Sequence, residues 1–241
     1  IKLGKTPNAY LLTGIRGVGK TTTARLIAKS LNCEKNLNKK SKCSPENFCE
    51  SCKEIVNSNH IDILEMDAAS KTGIDDIREL IENSKYSPTS AQFKIFIIDE
   101  VHMLSKQAFN GLLKTLEEPP ARLKFILATT EVRKIPVTIL SRCQRFDLKR
   151  VSLDKLLTLL NKITEIEKGK ISNDALKVIA RASEGSVRDA ISLLDRALIS
   201  QNINEDKEIN EQDVREMLGL ADRGKIIKLF KEILLGNQKQ A

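Results

Sequence analysis

The chain has 241 residues, of which 41% are apolar and 30% charged, a composition typical of globular proteins with one or two buried cores. No apolar run approaches the ~18 residues of a membrane-spanning helix, and no signal-peptide pattern follows Ile1, so we expect a cytoplasmic fragment with no membrane partner. Forty basic against 32 acidic residues give a net charge of +8 and a pI near 9.2, which favours an anionic partner but equally fits an inert basic surface.

Apolar, β-rich segments alternate with helix-patterned segments in the first 150 residues. The predicted strands are 9–14, 62–67, 93–100, 123–130 and 143–148. The predicted helices are 20–31, 74–85 and 105–118. Ser105 is a suitable N-cap for the last of these helices, which ends against Pro119 and Pro120. This alternation predicts an α/β fold, a parallel sheet with helices on both faces.

The strand pattern ends near residue 150, and the rest of the chain has apolar residues at three- and four-residue spacing. The predicted helices there are 152–167, 172–182, 186–200, 210–219 and 222–235. The polar segment 201–211 is predicted to be a loop that separates three helices from a terminal pair.

The first predicted strand runs into a glycine-rich loop that ends in Lys20 and Thr21, in the pattern G-x4-G-K-[ST]. Backbone N–H groups of such a loop, with the N-terminus of the following helix, form a cradle for phosphate. Lys20 would reach the β- and γ-phosphates, and the Thr21 hydroxyl would ligate Mg²⁺. The alternative is a glycine-rich turn without function. The predicted nucleotide-binding residues are Gly14, Ile15, Arg16, Gly17, Val18, Gly19, Lys20, Thr21 and Thr22.

The third predicted strand ends in two carboxylates, at the edge of a parallel sheet where ligands bind. Asp99 suits the Mg²⁺ shell, and Glu100 suits a general base that polarises the attacking water. A solvated strand end is the alternative. We expect His102 to pack or form hydrogen bonds rather than take part in chemistry. Thr130, at the end of the fourth predicted strand, is the candidate that holds this water or senses the γ-phosphate, although threonine is also common in strands.

Four of the five cysteines lie close together in the sequence, at Cys33, Cys43, Cys49 and Cys52, and the last two form a Cys-x-x-Cys pair. Because cytosolic proteins seldom keep disulfides, this cluster predicts a structural Cys₄ zinc site. Scattered free thiols are the alternative.

These motifs together resemble the ATPase clamp-loader subunits of bacterial DNA polymerase III, the gamma/tau family of the AAA+ class. The resemblance is carried by GIRGVGKTTTARLIAKSLNC, the cysteine insertion, DAASKTGIDDIREL, IFIIDEVHMLSKQAFNGLLKTLEEPP, FILATTE, PVTILSRC and EGSVRDAISLLD. It implies an N-terminally truncated, RecA-like nucleotide-binding domain over 1–150 with a zinc insertion at 33–52. A three-helix lid over 151–204 and the start of a helical collar, which holds a ring together, over 205–241 would follow.

The resemblance also implies roles for four basic residues. Arg142, in the motif Ser-Arg-Cys, matches the finger that acts in trans on the ATP of a neighbouring subunit. Arg188 matches the lid arginine that touches the γ-phosphate in cis, and Lys71 and Arg78 match residues near DNA. Without the resemblance, we would interpret Arg142 and Arg188 each as half of a surface ion pair.

The expected function is that of an ATP-hydrolysing subunit that uses ATP, Mg²⁺ and Zn²⁺ and opens a sliding clamp to load it onto primed DNA. The expected partners are delta, delta prime and further gamma/tau subunits, the clamp, and DNA held through its phosphates. The alternatives are another AAA+ DNA-processing ATPase, such as a branch-migration motor, and a non-hydrolysing structural subunit.

Overall fold

The computed structural model describes residues 6–37, 43–44, 47–70, 74–203, 208–219, 230–231 and 233–234. The chain divides into two compact units, Ile1–Lys149 and Arg150–Ala241, called here the N-terminal and the C-terminal unit. Most of the predicted helix 222–235, and much of the predicted collar 205–241, lie outside the described residues.

A five-stranded parallel sheet forms the centre of the N-terminal unit, which confirms the predicted α/β class. Its strands lie in the order β2-β3-β4-β1-β5. Their bounds are β1 Ala9–Thr13, β2 Ile63–Asp67, β3 Lys94–Asp99, β4 Leu123–Thr129 and β5 Gln144–Asp147. Thr13 lies beside Thr129 on one side and Asp147 on the other. The carboxyl ends of these strands therefore share one edge of the sheet.

Side chains of the central strands alternate between two buried layers, as the two-residue period of a strand requires. One layer packs Leu11, Phe96 and Phe125 against helices on one face. The other packs Leu12 and Ile97 with a helix on the opposite face. Because β1, β3 and β4 are covered on both faces, their segments are almost continuously apolar.

The helices of the N-terminal unit include the three that the sequence predicts. Their bounds are α1 Lys20–Asn32, α2 Glu34–Leu37, α3 Glu50–Val56, α4 Ile74–Ser84, α5 Lys106–Glu117 and α6 Val137–Leu140. Ser105 caps α5, since its hydroxyl accepts the N–H of Ala108 at 3.2 Å. The periodicity did not predict α2, α3 and α6, because one or two turns are too short to establish a helical period.

The C-terminal unit is helical over its described residues, as predicted. Its helices are α7 Leu153–Glu167, α8 Asn173–Ala182, α9 Val187–Ile203 and α10 Glu211–Met217. The predicted start of a loop at residue 201 was wrong, because α9 continues to Ile203 through a stretch without glycine or proline. Asn210 begins α10 with a capping box that it forms with Asp213. Among the helices that the structure describes, none has the length and apolar character needed to cross a membrane.

Candidate nucleotide site

The glycine-rich loop joins the buried strand β1 to the start of α1. Gly14 has φ +153°, and a Cβ there would lie 2.6 Å from the carbonyl oxygen of Leu148. Gly19 has a left-handed φ of +95° directly before α1 begins. Side chains at these positions would clash or strain the backbone, so the loop keeps its shape only with glycine. This strand, loop and helix form the context that a phosphate cradle requires.

Lys20 is buried at the first position of α1, and its Nζ donates to the carbonyl oxygens of Gly14 and Ile15 at 3.1 Å each. The ammonium group therefore lies folded over the loop. Arg16 and Thr22, which are also among the predicted nucleotide-binding residues, are exposed. The predicted nucleotide-binding segment 14–22 follows the carboxyl end of β1 and extends into the first turn of α1.

The hydroxyl of Thr21 donates a hydrogen bond to Asp99 Oδ2, although β4 lies between the strands that lead to these two residues. The second oxygen of Asp99 accepts the N–H of Glu100 at 2.9 Å. A hydroxyl and a carboxylate oxygen side by side are the ligand types that Mg²⁺ takes from proteins, and Mg²⁺ fills its other positions with water and phosphate. The predicted pair of magnesium ligands thus fits this ion.

Glu100 has a left-handed φ of +46°, in a turn that directs its side chain towards the end of β4. Its Oε2 accepts the hydroxyl of Thr130 at 3.0 Å and the Thr130 N–H at 3.3 Å. A non-glycine residue in this region is typical of functional sites, where the surrounding structure compensates for strain. The predicted general base and the predicted sensor are therefore direct neighbours.

His102 is almost enclosed, with 6% of its side chain exposed. Its Nδ1 lies 3.0 Å from the Thr129 hydroxyl and 3.4 Å from Glu100 Oε2, and its Nε2 lies 3.5 Å from Glu131 Oε1. The prediction that His102 packs and forms hydrogen bonds agrees with these contacts. Sequence reasoning did not identify Thr129 and Glu131 as its neighbours.

Arg142 lies at the opposite edge of the sheet from the phosphate loop. It follows α6 and precedes β5, whose first residue, Gln144, pairs with Tyr10 near the start of β1. At about 3.3 Å per strand residue, the distance from Tyr10 to Gly14 is already about 13 Å. Arg142 Nη2 donates to Glu117 Oε1 at 2.6 Å, at the end of α5. The structure therefore does not bring Arg142 to the phosphate loop of its own chain.

The other predicted basic residues lie on two different units or outside the described chain. Arg188 is exposed in the first turn of α9, after the turn that contains Gly185 at φ +87°. Arg78 lies on α4 and pairs with Asp75 at 2.9 Å, and both side chains are largely exposed. Lys71 lies outside the described residues.

The four clustered cysteines meet in space, with all their Sγ atoms within 4.8 Å of one another. Three of them, Cys33, Cys49 and Cys52, are buried, and Cys43 is half-buried. Tetrahedral zinc with Zn–S bonds of about 2.3 Å would separate its sulfurs by about 3.8 Å, and the Sγ atoms of Cys33 and Cys49 lie 4.0 Å apart. Four thiols in this arrangement fit a metal ion. Burial raises the pKa of the fifth thiol, Cys143, to about 11.

A carboxylate that sequence analysis did not identify joins β5 to the entrance of the phosphate loop. Asp147 accepts hydrogen bonds from the Thr13 hydroxyl and from Arg145 Nε, the latter at 2.6 Å. These two donors lower the pKa of Asp147. The acidic residue at a strand end was visible in the sequence, but its partner Thr13 depends on the pairing of β1 with β5.

Family models match nearly the whole chain in three consecutive segments. Residues 1–152 match the family described as DNA polymerase III, delta subunit, and residues 156–202 match the DNA polymerase III clamp loader subunit, ATPase lid domain. Residues 209–241 match DNA polymerase III subunits gamma and tau domain III. The chain belongs to the gamma/tau family of DNA polymerase III clamp-loader subunits. Its fold and family are therefore those of an AAA+ P-loop ATPase associated with DNA polymerase III.

Similar curated proteins come from several bacteria. The chain is 45% identical over 237 residues to DNA polymerase III subunit tau of Escherichia coli strain K12. This match covers 98% of the chain and 36% of that protein. It is 46% identical over 241 residues to DNA polymerase III subunit gamma/tau of Mycoplasma genitalium, and this match covers 100% of the chain and 39% of that protein. It is 46% identical over 239 residues to DNA polymerase III subunit gamma of Buchnera aphidicola subsp. Schizaphis graminum, and this match covers 99% of the chain and 63% of that protein. The chain thus spans between about a third and two thirds of these relatives.

Among solved structures, the chain resembles the Thermotoga maritima RuvB Holliday junction branch migration motor. The TM-score is 0.64 at 20% identity, and the match covers 97% of this chain and 71% of that one. The similarity extends to the RuvB T158V variant, also with a TM-score of 0.64 and 20% identity. At this identity the similarity concerns the fold alone, and it agrees with the fold that the resemblance implies.

Proposed function

We propose that this chain is the ATP-hydrolysing subunit of a bacterial clamp loader, which opens a sliding clamp and places it on primed DNA. The observation that carries the proposal is the contact between Thr21 and Asp99, with Glu100 adjacent. A hydroxyl, a metal-binding carboxylate and a base at one point are the parts that phosphoryl transfer to water requires. A non-hydrolysing subunit would need none of them in this arrangement.

In the proposed reaction, ATP would supply the γ-phosphate that is transferred to water, and Mg²⁺ would neutralise the negative charge of the phosphates. Lys20 Nζ would exchange the carbonyls of Gly14 and Ile15 for phosphate oxygens. Glu100 would orient the attacking water and accept its proton, and Thr130 would hold Glu100 and sense the phosphate. Thr21 and Asp99 would hold the Mg²⁺.

We propose that Arg142 completes the site of an adjacent subunit. Its position at the far edge of the sheet supports action in trans, because its guanidinium is remote from the loop of its own chain. A planar guanidinium suits the charge spread over phosphate oxygens, and such a finger contributes about 10³-fold or more to turnover. Arg188 is proposed to contact the γ-phosphate in cis, which would couple the lid to the nucleotide state.

The proposed partners are delta, delta prime and further gamma/tau subunits, in a ring that the collar segment 205–241 would hold together, and the sliding clamp. DNA would be held through its phosphates, with Arg78 and Lys71 as candidate contacts. The proposed function also implies a cytoplasmic location. Membership of the clamp-loader family supports assembly with other subunits.

We propose that the four clustered cysteines hold a structural Zn²⁺. The support is a set of four soft sulfur ligands with no open position, within 4.8 Å of one another. The metal would join the end of α1 to α3, because Cys33 directly follows α1 and Cys52 lies within α3.

Steady-state ATPase assays of the assembled full-length protein test the proposal. We expect primed DNA and the clamp to stimulate hydrolysis, and we expect this stimulation to fall steeply as salt rises from about 50 to 200 mM. Lys20→Ala should abolish nucleotide binding, whereas the control Lys85→Ala, on the exposed surface, should not. A protein that hydrolyses ATP equally with and without DNA at every salt concentration would contradict the clamp-loading role.

A further inference from the structure

We infer that Glu117 is a positioning residue for Arg142, because it fixes the direction in which the guanidinium faces a neighbouring subunit. The inference rests on the proposed role of Arg142 as a finger. It adds to the reaction a residue that lies 25 positions before Arg142 in the chain.

Three acceptors surround the Arg142 guanidinium. Nη2 donates to Glu117 Oε1 at 2.6 Å, and Nη1 donates to the carbonyl oxygen of Thr138, also at 2.6 Å. A longer contact of 3.4 Å joins Nη1 to the hydroxyl of Ser141. Because these contacts act on both terminal nitrogens, they fix the plane of the guanidinium as well as its position.

The pair is half-exposed, with 34% of the Arg142 side chain and 47% of the Glu117 side chain accessible. An ion pair at such a site contributes little to folding stability. The pair would instead reduce the conformational entropy that the Arg142 side chain loses when it binds phosphate. An unrestrained arginine samples many rotamers and loses this freedom on binding. Accessible guanidinium surface that is already oriented needs no such reorganisation.

The length of α5 explains how Glu117 reaches Arg142. It is the last residue of α5, two positions before Pro119, and α5 begins at Lys106, six positions after Glu100. A helix of 12 residues spans about 18 Å. It therefore carries Glu117 from the edge of the sheet that holds the carboxylates to the edge that holds Arg142.

The test compares Glu117→Ala and Glu117→Gln with the matched control Glu118→Ala in the assembled full-length protein. We expect Glu117→Ala to lower kcat about tenfold, as for a misplaced catalytic group, while the Kd for nucleotide stays unchanged. Glu117→Gln keeps an acceptor oxygen and should give a smaller loss, and it provides a second test if the alanine variant fails to fold. Glu118→Ala should behave as the wild type.

A double-mutant cycle separates positioning from a purely structural role. If Glu117 acts through Arg142, the Glu117→Ala and Arg142→Ala double variant has the kcat of Arg142→Ala alone. Losses that multiply would overturn the inference. A large loss for Arg142→Ala with none for Glu117→Ala would overturn it too, while the finger proposal stands. No loss for Arg142→Ala would overturn the finger proposal, and this inference with it.

Discussion

The hydroxyl of Thr130 donates a hydrogen bond to Glu100 Oε2 at 3.0 Å, so a side-chain contact joins the polar ends of β3 and β4. The N–H of Thr130 reinforces this contact at 3.3 Å. Thr130 is thus a neighbour of the proposed base, in addition to its proposed role as a sensor of the γ-phosphate. The two roles are compatible, because one hydroxyl that contacts the base lies close to the water that the base would orient.

Replacing Thr130 by Val should lower kcat for ATP hydrolysis about tenfold with little change in nucleotide Kd. The change removes one hydrogen bond to a charged group, which contributes about 1.5–3 kcal/mol, from a site that acts on the water rather than on the bound phosphates. Thr130→Ser keeps the hydroxyl and should retain most of the activity. Single-turnover hydrolysis measures the rate of the chemical step, and titration with a fluorescent nucleotide measures the Kd. A variant that mainly loses nucleotide affinity would argue against this role of Thr130.

Glu100→Gln should keep nucleotide binding and lower hydrolysis by about 10²–10⁴-fold. The amide still accepts a hydrogen bond from Thr130, but it cannot take a proton from water. Glu79→Gln, on the exposed surface of α4, serves as the control. Hydrolysis by Glu100→Gln at the rate of this control would show that Glu100 is not the base.

Zinc content is expected to be one ion per chain and to depend on Cys49 but not on Cys143. Cys49 lies in the cluster with its Sγ 4.0 Å from that of Cys33, whereas Cys143 lies outside the cluster that the described residues form. Cys49→Ser should lose the metal and unfold at a lower temperature, and Cys143→Ser should retain it. Elemental analysis of the purified protein decides the matter, since wild-type protein without zinc would refute the site.

Asp62 anchors the loop before β3 by accepting the N–H groups of Thr89, Ser90 and Ala91 at 2.7–2.9 Å. Burial acts to raise the pKa of this carboxyl, but the three N–H groups outweigh it and lower the pKa below its ordinary value. A lowered pKa in the folded state means that the carboxylate stabilises the fold above its unfolded pKa. This contribution is lost as the pH falls through the lower, folded-state pKa.

Asp62→Asn should therefore destabilise the protein by about 1–3 kcal/mol at pH 7, because one carboxylate acceptor is replaced by an amide. The difference between wild type and variant should shrink as the pH falls below about 4. Glu82→Gln removes an exposed ion pair with Lys85 and should cost little. Urea unfolding across this pH range measures the difference in free energy of unfolding between wild type and Asp62→Asn. A difference that grows as the pH falls would contradict the prediction.

Local sequence patterns were sufficient for the strands, the long helices and the strand-loop-helix context of the glycine-rich loop. Each of these depends on spacing within one segment: a buried strand is apolar throughout, and the loop needs glycine where φ is positive at Gly17 and Gly19. The register of parallel strands then brings Thr21 to Asp99 and Thr130 to Glu100, as the common edge of the sheet implies.

Contacts between distant segments could not be read from the sequence in the same way. Glu117 is one of two adjacent glutamates before Pro119, and only the packing of α5 beside α6 selects it as the partner of Arg142. Asp62 looked like the start of a strand, yet its carboxylate accepts three N–H groups from a loop about 27 positions later. Short helices such as α3 also escaped prediction, because tertiary contacts rather than periodicity stabilise them.

In the proposed ring, Arg142 acts on the nucleotide of an adjacent subunit. Two variants, each defective in a different way, separate action in trans from action in cis. Lys20→Ala removes phosphate binding but keeps Arg142, and Arg142→Ala keeps the phosphate site but lacks the finger.

The most direct measurement is the ATPase rate of assemblies formed from equal amounts of these two variants. Action in trans predicts that each variant alone is nearly inactive and that mixing restores part of the activity, because Arg142 of one subunit then meets ATP bound by the other. Mixed assemblies that stay as inactive as either variant alone, although they contain both, would contradict the account.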